Sequence, residues 1–400
     1  MKTFTPYRIC PLGAHVDHQW GKVTGFAIDK GITMEFEPTE DGSIYVESCN
    51  FKGITRFNVR DEEIEKTNEW GDYLRGAVVS LSRYYELSKG LKGIVKGDLP
   101  IGGLSSSAAV IITYIVSLAK VNDIQLERSE VIKIALWVEN SFVGIGVGKL
   151  DQSCEVLCKK GHLLYLDTID DRYKLIPINE NMKPFKVAII FSGLERSLAN
   201  SSYNLRVDEC KAAAYELKGL ANMEYGKFND TRLRDVPREI FEEYKSYLPV
   251  NWYRRALHFY DENERVMLGV QAWKDGDLDK FGKLIFESGY SSIYNYETGS
   301  EELRALYEIM TNTDGIYGGR FSGAGFKGFC MALIDPEKEE SIKENITQEY
   351  LNRFPLLKDR RCIPAVLLLS ACVRHDTYFP DGCQTDEWWL SASVPAAARQ

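Results

Sequence analysis

The sequence has no run of five or more lysines and arginines, and its 49 basic residues are outnumbered by 58 acidic ones, leaving a net charge of -9. An acidic chain without a basic stripe is a poor match for nucleic acid or an anionic membrane surface, so neither is expected as a partner. Long apolar runs are also missing: the longest, IPAVLLLSACV at 363–373, is about half the length of a membrane span. The opening MKTFTPYRICPLG reaches a proline and an arginine early and has no apolar core of signal-peptide length, so a cytoplasmic protein is expected. The nine cysteines are odd in number and irregular in spacing, which gives no disulfide framework. Cys154, Cys158 and His162 in DQSCEVLCKKGH have ligand-like spacing, but no CxxC or HxxxH completes a four-ligand set, so reduced core cysteines are expected rather than zinc. Low-complexity linkers and solenoid repeats are absent as well.

What is there is a chain of 400 residues, 44% hydrophobic, enough for two domains. GITMEFEP (31–38), GSIYVES (42–48) and GITRFNV (53–59) are short β-branched and aromatic runs bounded by breakers, predicting antiparallel strands. SSSAAVIITYIVSLAKVND has no breaker, opens on hydroxyl residues that can cap a helix and is apolar through every turn, predicting a buried helix. A second helix is expected through SEVIKIALWVENSF, capped by Ser129. Long amphipathic helices follow at about 203–222, 251–275 and 300–312, and FCMALID alternates like a strand. The expected division is 1–190 and 191–400, with an irregular tail after about 360 on which no function is placed.

Three loops carry chemistry. GDLPIGGLSSSAAV (97–110) sets Gly102, Gly103, Ser105, Ser106 and Ser107 at a helix start, where unpaired N–H groups and the helix dipole attract phosphate. It is not a Walker A loop, because no Gly-Lys-Ser/Thr follows, and an ordinary capped helix is the alternative. GAGFKG (323–328) fits the dinucleotide fingerprint literally, yet it precedes a strand instead of a helix and is read as a tight loop beside a ligand. In VENSFVGIGVGKLDQ, Glu139 and Asp151 could divide the work of holding a divalent cation and accepting a proton, although an acid at a helix start is commonly a cap.

Together with the opening YRICPLGAHVDHQWG, the loops GLSSSAA and FSGAGFKG and the segments ENSF and LDQ resemble the galactokinase branch of the GHMP kinase superfamily, in the same order, to about residue 335. The resemblance implies an α+β fold of two domains with the active site in the cleft between them. It also implies ATP and Mg2+ as cofactors, with a small sugar as the substrate. Residue by residue, it makes Asp151 the catalytic base with Arg8 beside it, and Glu139 and Ser107 the magnesium ligands. His15, Asp17, Gly148 and Tyr203 become sugar contacts, and Trp70 in EWGDYLRG an aromatic near adenine. The loop PIGGLSSS is one glycine shorter than is usual in that branch.

Position 14 departs from the family in a way that bears on substrate. Galactokinases carry there a glutamate that contacts the sugar's C6 hydroxyl; this chain has Ala14. A glutamate would repel a C6 carboxylate by roughly 4 kcal/mol at about 4 Å and an effective dielectric of about 20. The charge argument favours a sugar acid, and the resemblance implies that it is D-galacturonate, phosphorylated on its C1 hydroxyl. His18 replaces the usual tyrosine and could donate to the acid, as could Lys149. Glucuronate, galactose and a non-catalytic sugar sensor are the alternatives.

Overall fold

The computed structural model describes residues 1–100, 102–194 and 202–357, together with the backbone of one further strand at Val366–Leu369. Eleven strands and ten α-helices are described, in two sheets. The strands are β1 (Lys2–Ile9), β2 (Lys22–Thr39), β3 (Ser43–Ser48), β4 (Ile54–Asn58), β5 (Gly90–Gly97), β6 (His162–Asp167), β7 (Arg172–Pro177), β8 (Lys186–Phe191), β9 (Ile316–Phe321), β10 (Phe329–Ile334) and β11 (Val366–Leu369). The helices are α1 (Asp72–Ser82), α2 (Ser106–Val121), α3 (Arg128–Trp137), α4 (Leu150–Leu157), α5 (Ser202–Leu220), α6 (Arg238–Tyr244), α7 (Val250–Asp275), α8 (Leu278–Tyr294), α9 (Glu301–Thr311) and α10 (Glu339–Arg353). No helix among the described residues is long and apolar enough to cross a membrane.

The first sheet runs β4-β3-β5-β2-β6-β7, with β1 on the remaining edge of β2; the second runs β11-β8-β10-β9. The three predicted strands of the 31–59 region are present, but β2 is far longer than the segment that predicted it and is separated from β3 by β5, which pairs antiparallel with β2 and parallel with β3. A division at 190 would cut β8, because the connection between the sheets is 178–185. Within the irregular tail, β11 pairs antiparallel with β8; the rest of the tail lies outside the described residues.

Helix α2 packs across the first sheet with Ala108, Ala109, Ile111, Ile112, Ile115 and Leu118 buried, as its unbroken apolar sequence requires. Thr113 and Ser117 of this helix are satisfied across the interface, Thr113 Oγ1 donating to Thr5 Oγ1 at 2.8 Å and Ser117 Oγ to Thr3 Oγ1 at 3.1 Å. The core continues through Phe26, Trp273 and Phe281 to Met331 of the second sheet. The Trp273 ring centroid lies 5.3 Å from that of Phe26 and 5.2 Å from that of Phe281.

Two helix starts differ from expectation. The cap of α3 is Glu127, which forms a reciprocal capping box with Glu130, while Ser129 lies inside the helix. At α2, Ser105 takes the cap position in a left-handed conformation and makes no side-chain cap bond, so the serines do not cap by hydroxyl. Helix α8 lies outside the helices expected from sequence; its Gly282 and Gly289 are contact points where an added Cβ would come within 2.1 Å of the Tyr317 carbonyl and 2.6 Å of the Tyr307 ring.

Candidate active site

The opening loop, both glycine loops and the base of α4 converge on Arg8. Strand β1 delivers this arginine, buried, to the floor of a large cavity, where its Nε donates to Asp151 Oδ1 at 2.7 Å and its Nη2 lies 2.7 Å from the same oxygen. Its Nη1 donates to the Gly103 carbonyl at 3.1 Å and to Ser322 Oγ at 3.3 Å. One guanidinium thus ties the base of α4 to both glycine loops. Burial opposes its charge, but Asp151 outweighs this and holds its pKa above the ordinary value.

The two glycine loops meet backbone to backbone. A Cβ on Gly102 would lie 2.6 Å from Gly328 Cα, and one on Gly323 would lie 2.6 Å from Gly103 Cα. Gly103 and Gly328 have φ of +72° and +104°, which only glycine adopts cheaply. GAGFKG turns β9 into β10, strand to strand, so it lacks the helix that a dinucleotide site requires.

Glu139 is the second residue of a π-helical turn, Val138–Val143, that follows α3. Its carboxylate accepts from Gln152 Nε2 and is also hydrogen-bonded to the Ser107 hydroxyl. Burial, with Asp151 adding to it, pushes Glu139 up to about 7, and burial likewise pushes Asp17 up to about 6. Asp17, Glu139 and Asp151 share the cavity wall with one permanent cation, Arg8, among the described residues. That excess of negative charge, beside the hard oxygens of Glu139 and Ser107, fits a bound Mg2+. Glu155, one turn beyond Asp151, is buried with both oxygens unpartnered, and burial pushes its pKa well above the ordinary carboxylate value.

Ala14, His15, Asp17 and Tyr203 line the cavity along with Gly102, Gly103, Ser105, Ser106 and Ser107. Trp70 lines its apolar part with Phe51, the two rings stacked at 6.3 Å and 12°. Gly148 lies behind the wall, where a Cβ would sit 2.4 Å from the Asp17 carboxyl carbon; it leaves room for Asp17. His18 is also off the wall. Its Nε2 is 2.9 Å from Tyr296 Oη and its Nδ1 3.0 Å from Gln19 Nε2, so both ring nitrogens are engaged, and burial lowers its pKa to about 3. This corrects the expectation of His18 as a donor to the sugar acid. Lys149 is likewise taken, its Nζ 2.7 Å from both oxygens of Asp171.

The residues that hold the loop around Ala14 were not anticipated. Glu262 Oε1 accepts from the Gly13 N–H at 2.8 Å, and His258 Nε2 donates to the Ala14 carbonyl at 2.9 Å. Glu262 is in turn bound by Arg265 at 2.7 Å and by Ser288, and Arg320 Nη1 lies 3.8 Å from it. Burial alone would raise Glu262, but Arg265, His258 and Arg320 pull it down to about 2. These clamps sustain a left-handed His15, φ +62°, a conformation that costs a non-glycine residue about 1–2 kcal/mol. The available signal was a polar pair, His258 and Glu262, four residues apart on the buried stripe of α7.

A cavity joining an Arg–Asp pair, a glycine loop at a helix N-terminus and a buried carboxylate–hydroxyl pair is arranged for phosphoryl transfer. The chain belongs to the GHMP kinases: residues 72–159 match the GHMP kinases N terminal domain and 270–352 the GHMP kinases C terminal domain. It is a sugar kinase of the galactokinase branch. It is 40% identical to the galacturonokinase of Arabidopsis thaliana over 372 residues, covering 88% of this chain and 87% of that one. It is 33% identical to the galactokinase of Thermotoga maritima, covering 88% and 95%. Among solved structures, Lactococcus lactis galactokinase complexed with galactose superposes with a TM-score of 0.83 at 26% identity, covering 92% of each chain.

Proposed function

We propose that this kinase transfers the γ-phosphoryl group of ATP to the C1 hydroxyl of D-galacturonate, giving galacturonate 1-phosphate and ADP. The reading rests on the Arg8–Asp151 pair in a cavity whose position 14 carries no acid. The anomeric hydroxyl is more acidic than an ordinary alcohol, because the ring oxygen withdraws electron density. Asp151 accepts its proton as the oxygen bonds to the γ-phosphorus and the bond to the β-phosphate oxygen breaks. Arg8 keeps Asp151 in place through two contacts and offsets charge on the transferred group. The N–H groups at the start of α2, opened by Gly102 and Gly103, receive phosphate oxygens, with Ser105 and Ser106 beside them. Glu139 and Ser107 would hold Mg2+, which would neutralise phosphate charge. Trp70 packs near the base, and His15, Asp17 and Tyr203 contact the sugar around Ala14. Galactose is the second reading, favoured by the galactokinase relatives and opposed by Ala14.

The test is product analysis. Incubation with Mg-ATP and galacturonate should give a new phosphorus resonance coupled to the anomeric proton. A phosphate elsewhere on the sugar, or ATP consumed without a sugar phosphate, would overturn the reading.

A further inference from the structure

An acid sugar brings a charge into a cavity where the nearby cations are already committed. Arg8 is held by Asp151, Gly103 and Ser322; Arg320 by Ser288, Ser292 and Glu262; Lys149 by Asp171. The rings of His18 and His258 have partners on both nitrogens. His15 differs: it lines the cavity next to Ala14, is 5% exposed, and its Nε2 has no hydrogen-bond partner. Of the ionisable side chains described on that wall, it alone has a buried nitrogen left open.

We propose that His15 takes up a proton from solvent when a sugar carboxylate binds beside Ala14, so that the acid enters the site as a neutral imidazolium–carboxylate pair. The proposal rests on the acid-sugar reading above and adds how the acid is recognised. Its balance is simple: one proton from water goes to the imidazole, and no bond of the sugar changes.

The surroundings explain why the proton arrives with the ligand and not before. His15 is faced by Arg8 from β1, His18 from its own loop, Tyr203 from α5, His258 from α7, Tyr296 after α8, and Arg320 and Phe321 from β9. The Tyr296 ring stacks on it at 4.5 Å and 10°. Burial, then Arg320 and the other cationic groups, holds its pKa well below the ordinary value, so the ring is neutral in the free protein. A carboxylate at hydrogen-bond distance raises an imidazole's proton affinity by roughly ten- to a thousandfold. A glutamate at position 14 would offer His15 an internal carboxylate; Ala14 leaves the ligand to supply it. A neutral sugar, with a hydroxyl at C6, supplies none.

The experiment is calorimetric titration of the full chain, saturated with Mg2+ and a non-hydrolysable ATP analogue, in buffers of different ionisation enthalpy at neutral pH. Galacturonate should bind with net proton uptake that grows as the pH is lowered and galactose with none, and the Kd for galacturonate should rise with pH by at most tenfold per unit. His15→Gln should abolish both the uptake and the pH dependence. Galacturonate that binds and turns over without proton uptake would overturn this proposal and leave the acid-sugar reading intact. Galacturonate that neither binds nor turns over would overturn both.

Discussion

Replacing Ala14 by glutamate tests the substrate argument at its source. The Ala14 carbonyl is pinned by His258 Nε2 at 2.9 Å and the neighbouring Gly13 N–H by Glu262 at 2.8 Å, so the backbone cannot swing a new side chain away. Ala14 lies on the cavity wall, so a glutamate there would place its carboxylate at the cavity in which the sugar is proposed to bind. Opposite a substrate carboxylate about 4 Å away, at an effective dielectric of about 20, the repulsion is about 4 kcal/mol. That is roughly a thousandfold in kcat/KM for galacturonate. Galactose, which carries no charge, should lose little and gain a hydrogen-bond acceptor for its C6 hydroxyl. The assay is steady-state ADP release with both sugars, alongside a thermal melt to show that Ala14→Glu folds. A galacturonate kcat/KM within a few-fold of the parent, in a folded variant, would refute the charge argument.

Other outcomes follow from the same geometry. Asp151→Asn should lower turnover by about a hundred- to ten-thousandfold while galacturonate still binds by calorimetry; near-normal turnover would remove Asp151 as the base. Gly103→Ala forces a side chain into a φ of +72° with its Cβ 2.5 Å from the Ser322 carbonyl, so it should cost at least about 1–2 kcal/mol in thermal stability and raise the KM for ATP. His258 is a base whose pKa burial lowers from 6.5 to about 4. Its stabilising contribution is complete above the unfolded value and is lost as pH falls through the folded one. The stability lost between pH 6.5 and 4 should therefore be smaller in His258→Gln than in the parent, by about 3 kcal/mol in denaturant titrations.

The residues that touch the cavity were largely legible, because their types are dictated locally. Gly102, Gly103 and Gly328 permit backbone approach, and Asp151 and Arg8 sit at element ends where a side chain can reach a cleft. What supports them was not legible. Gly13 and Ala14 meet Glu262 and His258 across 249 and 244 positions of sequence, and nothing in linear order joins them. His18 misled because it follows Asp17, which lines the cavity, whereas its ring partners are Gln19 and the distant Tyr296. Helix α8 carries Gly282 and Gly289, whose missing side chains allow close packing against β9 and α9, a role visible only once the distant Tyr317 and Tyr307 are placed.

The central claim is that the cavity transfers phosphoryl groups to a sugar acid. Its most direct test is ADP release from Mg-ATP with D-galacturonate, D-glucuronate and D-galactose in parallel. Turnover with galacturonate should be far above that with galactose; galactose turning over as well or better would mean that the cavity does not select a sugar acid.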